Sequence, residues 1–142
     1  MKRIFLIGLF LLLISPVIFA ADGVYTGTGS NYAEWFEKEG DLKPKDLVGL
    51  NVQTGQVRRY QPGDVLIGVV SLKPLVIGNR LKDKSDDEMR KDFVLVSLMG
   101  EVDVDAAQIQ EKAREVLTPD GQRVGYRLAS GRVLLRMSSP SF

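Results

Sequence analysis

The chain has 142 residues, with 19 basic and 18 acidic side chains and neither His nor Cys. The absence of His and Cys excludes a Ser-His-Asp triad, a thiol nucleophile, a disulfide and the usual nitrogen or sulfur ligands of zinc. The nearly balanced charge gives no electrostatic footprint for nucleic acid. The length and an apolar fraction of 44% indicate one globular domain. No cofactor motif is visible, so we expect neither a cofactor nor a metal.

The first residues, 1–20, are typical of a secretory signal segment. Lys2 and Arg3 precede an apolar run, and Ala20 is a small residue suited to the position before cleavage. We therefore expect export, to the periplasm or the extracellular space. An uncleaved anchor is the alternative, and in that case this segment is the expected membrane contact. Residues 21–30 are rich in Gly and small polar residues, which predicts a flexible leader.

Residues 31–138 predict an all-β domain, followed by a short tail at 139–142. Runs of β-branched and apolar residues alternate with turn signals, which indicates a compact sandwich or barrel-like fold of about ten short strands. The expected strands are 32–38, 47–52, 56–61, 65–72, 75–78, 93–104, 115–117, 124–126 and 133–137.

The run at 65–72 is apolar throughout and is the best candidate for a central strand. Gly68 within this run predicts a bulge or a close approach of another backbone segment. A second strong signal is the sequence Thr-Pro-Asp-Gly at 118–121, which predicts a hairpin turn between two of the later strands.

Two segments are less regular. Residues 80–92 are densely charged and predict a solvated loop or a short exposed helix. A calcium loop is excluded there because the spacing fits no calcium pattern and Lys84 and Arg90 would repel the cation. Residues 106–115 combine high helix propensity with a neighbouring hairpin signal, so they predict one helical turn at most, and strand or helix stays open.

The most informative stretch begins at Ser30 and contains the only Trp of the chain, Trp35. An amphipathic strand with Trp35 or its neighbours in the core and Glu34 and Glu37 in water accounts for its pattern. The same stretch also places a Ser30–Asn31 peptide bond just ahead of Glu34. Ser and Asn side chains can attack backbone carbonyls, and a carboxylate can act as the base. Ser30, Asn31 and Glu34 are therefore the candidate catalytic residues.

Four sequence blocks occur in order from residue 30 to residue 79: SNYAEWFE, GDLKPKDLVGLNV, GQVRRYQPGD and VLIGVVSLKPLVIGN. This region resembles the intramolecular-chaperone autoproteolytic domain at the C-terminus of phage tailspike and neck-appendage proteins. The resemblance implies a homotrimer of the glutamic peptidase type, which cuts itself at a Ser-Asp bond with the help of a following Glu. Ser30 and Glu34 match that pattern, whereas Asn31 stands where processed members have Asp.

Two functions follow from this resemblance. A cut at Ser30–Asn31 would release only the leader and no fibre, which favours a module reused for another purpose. The first expectation is an exported, non-catalytic domain that keeps the chaperone fold and acts in oligomerisation or binding, with itself as the expected partner in a homotrimer. The alternative is an active autoprotease that cuts Ser30–Asn31 with Glu34 as the catalytic carboxylate.

Overall fold

The computed structural model describes residues 25–26 and 30–137. The segments predicted as signal (1–20) and tail (139–142), and most of the predicted leader, lie outside the described residues. The described part of the chain forms eleven strands, one α-helix and one 3-10 helix, which confirms the all-β, barrel-like fold class. Within these residues no helix has both the length and the apolar character needed to cross a membrane.

The strands are β1 Tyr25–Thr26, β2 Asn31–Glu37, β3 Leu47–Leu50, β4 Val57–Arg59, β5 Val65–Val70, β6 Val76–Ile77, β7 Phe93–Val102, β8 Gln110–Lys112, β9 Glu115–Leu117, β10 Arg123–Arg127 and β11 Val133–Leu135. The helix α1 spans Asp86–Asp92, and the 3-10 helix spans Ala106–Gln108. Two strands differ from expectation. β1 forms inside the predicted leader and pairs with β6, and β8 forms inside the ambiguous segment.

A ring of five strands surrounds the first core. β7 pairs with β2 along one edge and with β5 along the other, and β3 then joins β5 to β4. An isolated bridge between Lys38 and Val57 joins the end of β2 to β4, so the ring closes. Side chains alternate along each strand, so one set points into the ring. That set is rich in valine: Val48, Val57, Val70, Val94 and Val96.

A second core lies on the outer face of β3 and β5. The end of β7 pairs with β11, and the sheet continues through β10 and β9 to β8 at its edge. Leu47 and Val69 pack here against apolar side chains of the later strands, including Val116 and Val124. β5 is therefore covered on both faces, with Val70 in the ring and Val69 in the second core. This explains its unbroken apolar sequence.

The charged segment forms a capped helix that covers a third core, which contains Trp35, Ile77 and Leu95. Ser85 and Glu88 make a reciprocal capping box at the N-terminus of α1, which satisfies backbone donors there. Met89 is the buried residue of the helix and packs in the cluster that contains Trp35. The Arg90 guanidinium lies 5.5 Å from the centroid of the Trp35 ring. The segment is thus helical and attached to β2, in agreement with the exposed-helix alternative.

Gly68 lies where two backbone segments approach closely, as its sequence context predicts. A Cβ atom at this position would lie 2.0 Å from the carbonyl oxygen of Ser97 on β7. No side chain fits in that space, so β5 can approach β7 only with glycine here. Gly100 allows a bend further along β7, because its φ of +97° is a conformation that favours glycine.

The segment at 106–115 resolves into the single 3-10 turn followed by β8. Asp105 caps the turn, because its Oδ1 accepts from the Ala107 amide at 3.0 Å. Gln108 extends to the β3 region, where its Oε1 accepts from the Leu47 amide at 2.7 Å. Its Nε2 donates to Asp46 at 2.8 Å. This glutamine therefore links the later sheet to the five-stranded ring.

Candidate functional site

Strand β2 positions all three candidate catalytic residues. The backbone of Asn31 pairs with Gly100 on β7, and its carbonyl accepts from the Leu75 amide at 2.9 Å. The Ser30 carbonyl accepts from the Glu101 amide at 3.2 Å. These contacts on both edges of the strand hold the Ser30–Asn31 bond in an extended conformation.

The two side chains at this bond are already engaged. Ser30 is exposed, and its Oγ accepts from Arg132 at 2.6 Å. The guanidinium of Arg132 also donates to the Glu101 carbonyl at 2.7 Å, which fixes its position. Asn31 is only 7% exposed, and its Nδ2 donates to Ser71 Oγ at 3.3 Å. Arg132 could not be identified as a neighbour of Ser30 from local sequence, because 102 positions separate the two residues.

Glu34 lies on the other face of β2. Alternation along a strand places Glu34 with Tyr32 and Phe36, and opposite to Asn31. The Tyr32 hydroxyl donates to Glu34 Oε1 at 2.5 Å, and this hydrogen bond raises the pKa of Tyr32. Three residues of extended strand also separate the Cα atoms of Asn31 and Glu34 by about 10 Å. Ser30 and Asn31 are consecutive residues, whereas the Glu34 side chain of the same chain points to the opposite face of β2 from Asn31.

Trp35 is buried as expected, at 4% exposure, and its backbone has an unusual partner. The side-chain amide of Asn79 accepts from the Trp35 N–H at 2.6 Å and donates to the Trp35 carbonyl at 3.0 Å. Asn79 therefore replaces the backbone of a neighbouring strand just after β6 ends. Its role here is to complete the sheet beside β2.

A cavity of about 210 Å³ opens beside the start of β2. Asn31 and Ser71 line it together with the cationic residues Lys45, Lys73 and Arg132. Within the described residues, no group of three or more acidic side chains is arranged to hold a metal ion. The polar groups that line this cavity are therefore amide, hydroxyl and cationic groups together with one carboxylate, that of Asp103.

Comparison with known proteins gives no relative: no family model, no curated protein and no solved structure matches the chain. The resemblance to the tailspike chaperone domain therefore stays a prediction.

Proposed function

We propose that the chain is an exported, non-catalytic β-domain that acts by self-association and binding, with the fold of a tailspike chaperone domain but without its reaction. The observation that carries this proposal is the orientation of Glu34. A general base must lie within hydrogen-bond reach of the group that it activates, directly or through one water. Glu34 instead accepts from Tyr32 on the face of β2 opposite to Asn31.

The other two candidate residues support the same proposal. Intramolecular attack on the backbone requires close alignment of the attacking atom with the carbonyl carbon. The Asn31 side-chain amide is held by Ser71, and the Ser30 carbonyl, which belongs to the Ser30–Asn31 bond, accepts from the Glu101 N–H in an extended strand. Ser30 Oγ is held by Arg132. These contacts favour a stable peptide bond at this position.

Self-association is supported by exposed apolar side chains around the start of β2. Met99, which pairs with Tyr32, is 60% exposed, and Leu75, whose amide bonds to Asn31, is 43% exposed. Exposed apolar side chains favour burial against a partner. A second and third copy of this chain are the proposed partners, as in a homotrimer.

The mass and N-terminal sequence of the exported protein test the absence of catalysis. We expect a chain that starts at Ala21 and has the same mass in the wild type, in Glu34→Gln and in the control Glu37→Gln. A chain that starts at Asn31 in the wild type and in Glu37→Gln, but not in Glu34→Gln, would contradict the proposal and establish the autoprotease alternative.

Light scattering on the purified protein tests self-association. We expect a trimer for the wild type and a monomer for the double variant Leu75→Lys/Met99→Lys. Val52→Lys is the matched control, because Val52 is 69% exposed in the turn after β3, near the opposite end of the ring. A monomeric wild type, or a Val52→Lys variant that dissociates equally, would refute the proposed interface.

A further inference from the structure

The lining of the cavity beside the start of β2 mixes apolar and charged residues. The apolar residues, which we call the apolar wall, are Pro44, Val70, Leu72 and Val102. The charged residues are three cations, Lys45, Lys73 and Arg132, and one acid, Asp103. The volume of about 210 Å³ is below the roughly 300 Å³ at which sites for drug-sized ligands begin, so it fits only a molecule of a few heavy atoms. The charge excess and the apolar wall together favour a small ligand that carries a negative group and a short hydrocarbon part.

The two lysines provide cations that are not already neutralised. The Arg132 guanidinium already forms an ion pair with the Glu101 carboxylate, with 3.5 Å between Nη1 and Oε2. Among the described residues neither Lys45 nor Lys73 forms an ion pair. Lys45 is also held in a left-handed conformation, with φ of +75°, by backbone hydrogen bonds to Val70 and Asp105. Its position at the cavity is therefore set by the fold.

The Asn31 side chain leaves one buried polar atom unpaired beside the cavity. The residue is 93% buried and lines the cavity, yet its Oδ1 has no hydrogen-bond partner. Native proteins rarely leave a buried polar atom unpaired. The side-chain amide of Asn31 is therefore a sensitive reporter of changes in the cavity.

We propose that this cavity binds a small organic carboxylate through Lys45 and Lys73, with its hydrocarbon part against the exposed side chain of Leu72. Charge-assisted hydrogen bonds to the carboxylate provide the specificity, and the apolar wall excludes fully hydrated anions. The site does not depend on self-association, because every residue that forms it belongs to one chain.

Titration of the ¹⁵N-labelled full chain with butyrate, followed by NMR, tests the site. We expect butyrate to shift the Asn31 side-chain amide and the backbone amides of Ser71 and Lys73. The neutral isostere butyramide is expected to bind at least about tenfold more weakly, because it lacks the charge. Lys45→Met and Lys73→Met should each weaken butyrate binding by about fivefold or more, whereas the control Lys112→Met on β8 should not change it.

Three results would overturn the inference. Equal binding of butyrate and butyramide would remove the role of charge. An equal loss in Lys112→Met would show nonspecific attraction to surface cations. Inorganic phosphate that binds more tightly than butyrate would exclude a role for the apolar wall. Each result is distinct from a monomeric wild type in light scattering, which bears on the proposed function alone.

Discussion

Arg58 binds Asp64 with two hydrogen bonds across the turn between β4 and β5. The distances are 2.8 Å from Nη2 to Oδ1 and 3.1 Å from Nε to Oδ2. The Asp64 side chain is nearly buried, at 6% exposure, and Oδ2 also accepts from the Gln61 amide at 3.0 Å. Gly49 on β3 leaves room for the carboxylate, because a Cβ atom there would lie 2.7 Å from Oδ2. This bidentate pair therefore fixes the turn against the five-stranded ring.

The Asp64→Asn variant is expected to lower the free energy of unfolding by about 1–3 kcal/mol, because it removes charge-assisted bonds from a buried site. Urea denaturation followed by Trp35 fluorescence measures this loss. The matched control is Glu115→Gln, whose pair with Arg123 is longer, at 3.7 Å, and exposed. We expect a loss of at most about 0.5 kcal/mol for the control. Equal losses in both variants would contradict the assigned importance of the buried pair.

The same pair makes stability depend on acid pH. The hydrogen bond from Arg58 lowers the pKa of Asp64 in the folded state. A group with a lowered folded pKa contributes stability above its unfolded pKa of about 3.9 and loses it as pH falls through the folded value. Burial opposes the effect at Asp120, but hydrogen bonds from Thr118 and Tyr60 lower the pKa of that group too.

We therefore expect the wild type to lose more stability than Asp64→Asn between pH 7 and pH 3, measured as the change in the urea midpoint. The variant should keep part of the acid sensitivity, because Asp120 contributes in the same direction. Identical pH profiles for the two proteins would show that the pair does not govern the acid response.

Gly68→Ala is expected to destabilise the fold by about 2–3 kcal/mol, because the added methyl group overlaps the Ser97 carbonyl and must displace β5 from β7. Gly121→Ala is the control. Its φ is +91°, but nothing lies within 4 Å of the new Cβ atom. Its loss should be limited to backbone strain of about 1 kcal/mol. Thermal unfolding by circular dichroism compares the two, and a larger loss for Gly121→Ala would refute the close-contact argument.

Lys45→Gly is expected to raise the free energy of unfolding by about 0.5–1 kcal/mol, because glycine relieves the left-handed strain at φ of +75°. Lys43→Gly, an exposed change in the same loop, has no such strain to relieve and should lower stability slightly. Urea denaturation distinguishes them. If Lys45→Gly also weakens butyrate binding, the same substitution would increase stability and decrease affinity. That combination is expected where backbone strain is kept at a functional position.

Several parts of the fold could be predicted from local sequence alone. The apolar run at 65–72 predicted a central strand, which forms at Val65–Val70, and Gly68 predicted a bulge or a close backbone approach, of which the close approach is found. The turn at 118–121 forms as its Thr-Pro-Asp-Gly sequence indicates. Each of these signals depends on the conformation of a few consecutive residues. The local structure that it predicts is therefore independent of how distant segments pack.

Strand β8 could not be predicted in the same way. Its residues are all exposed and come from a segment with high helix propensity, so neither periodicity nor propensity favours a strand. Pairing with β9 decides the conformation, since β-propensity depends on the neighbouring strand. The side-chain alternation that separates Glu34 from Asn31 was present in the sequence, but the Tyr32 contact that holds Glu34 was not evident from it.

The all-β class and the main strands and turns follow from local sequence patterns. Closure of the strands through Lys38 and Val57, and the common cavity lined by Lys45, Lys73, Arg132 and Asn31, follow from tertiary packing. Local patterns are set by the geometry of neighbouring residues, whereas a cavity depends on how distant segments pack. For that reason the charged residues near the Ser30–Asn31 bond could be identified only from the packing of the ring against the later sheet.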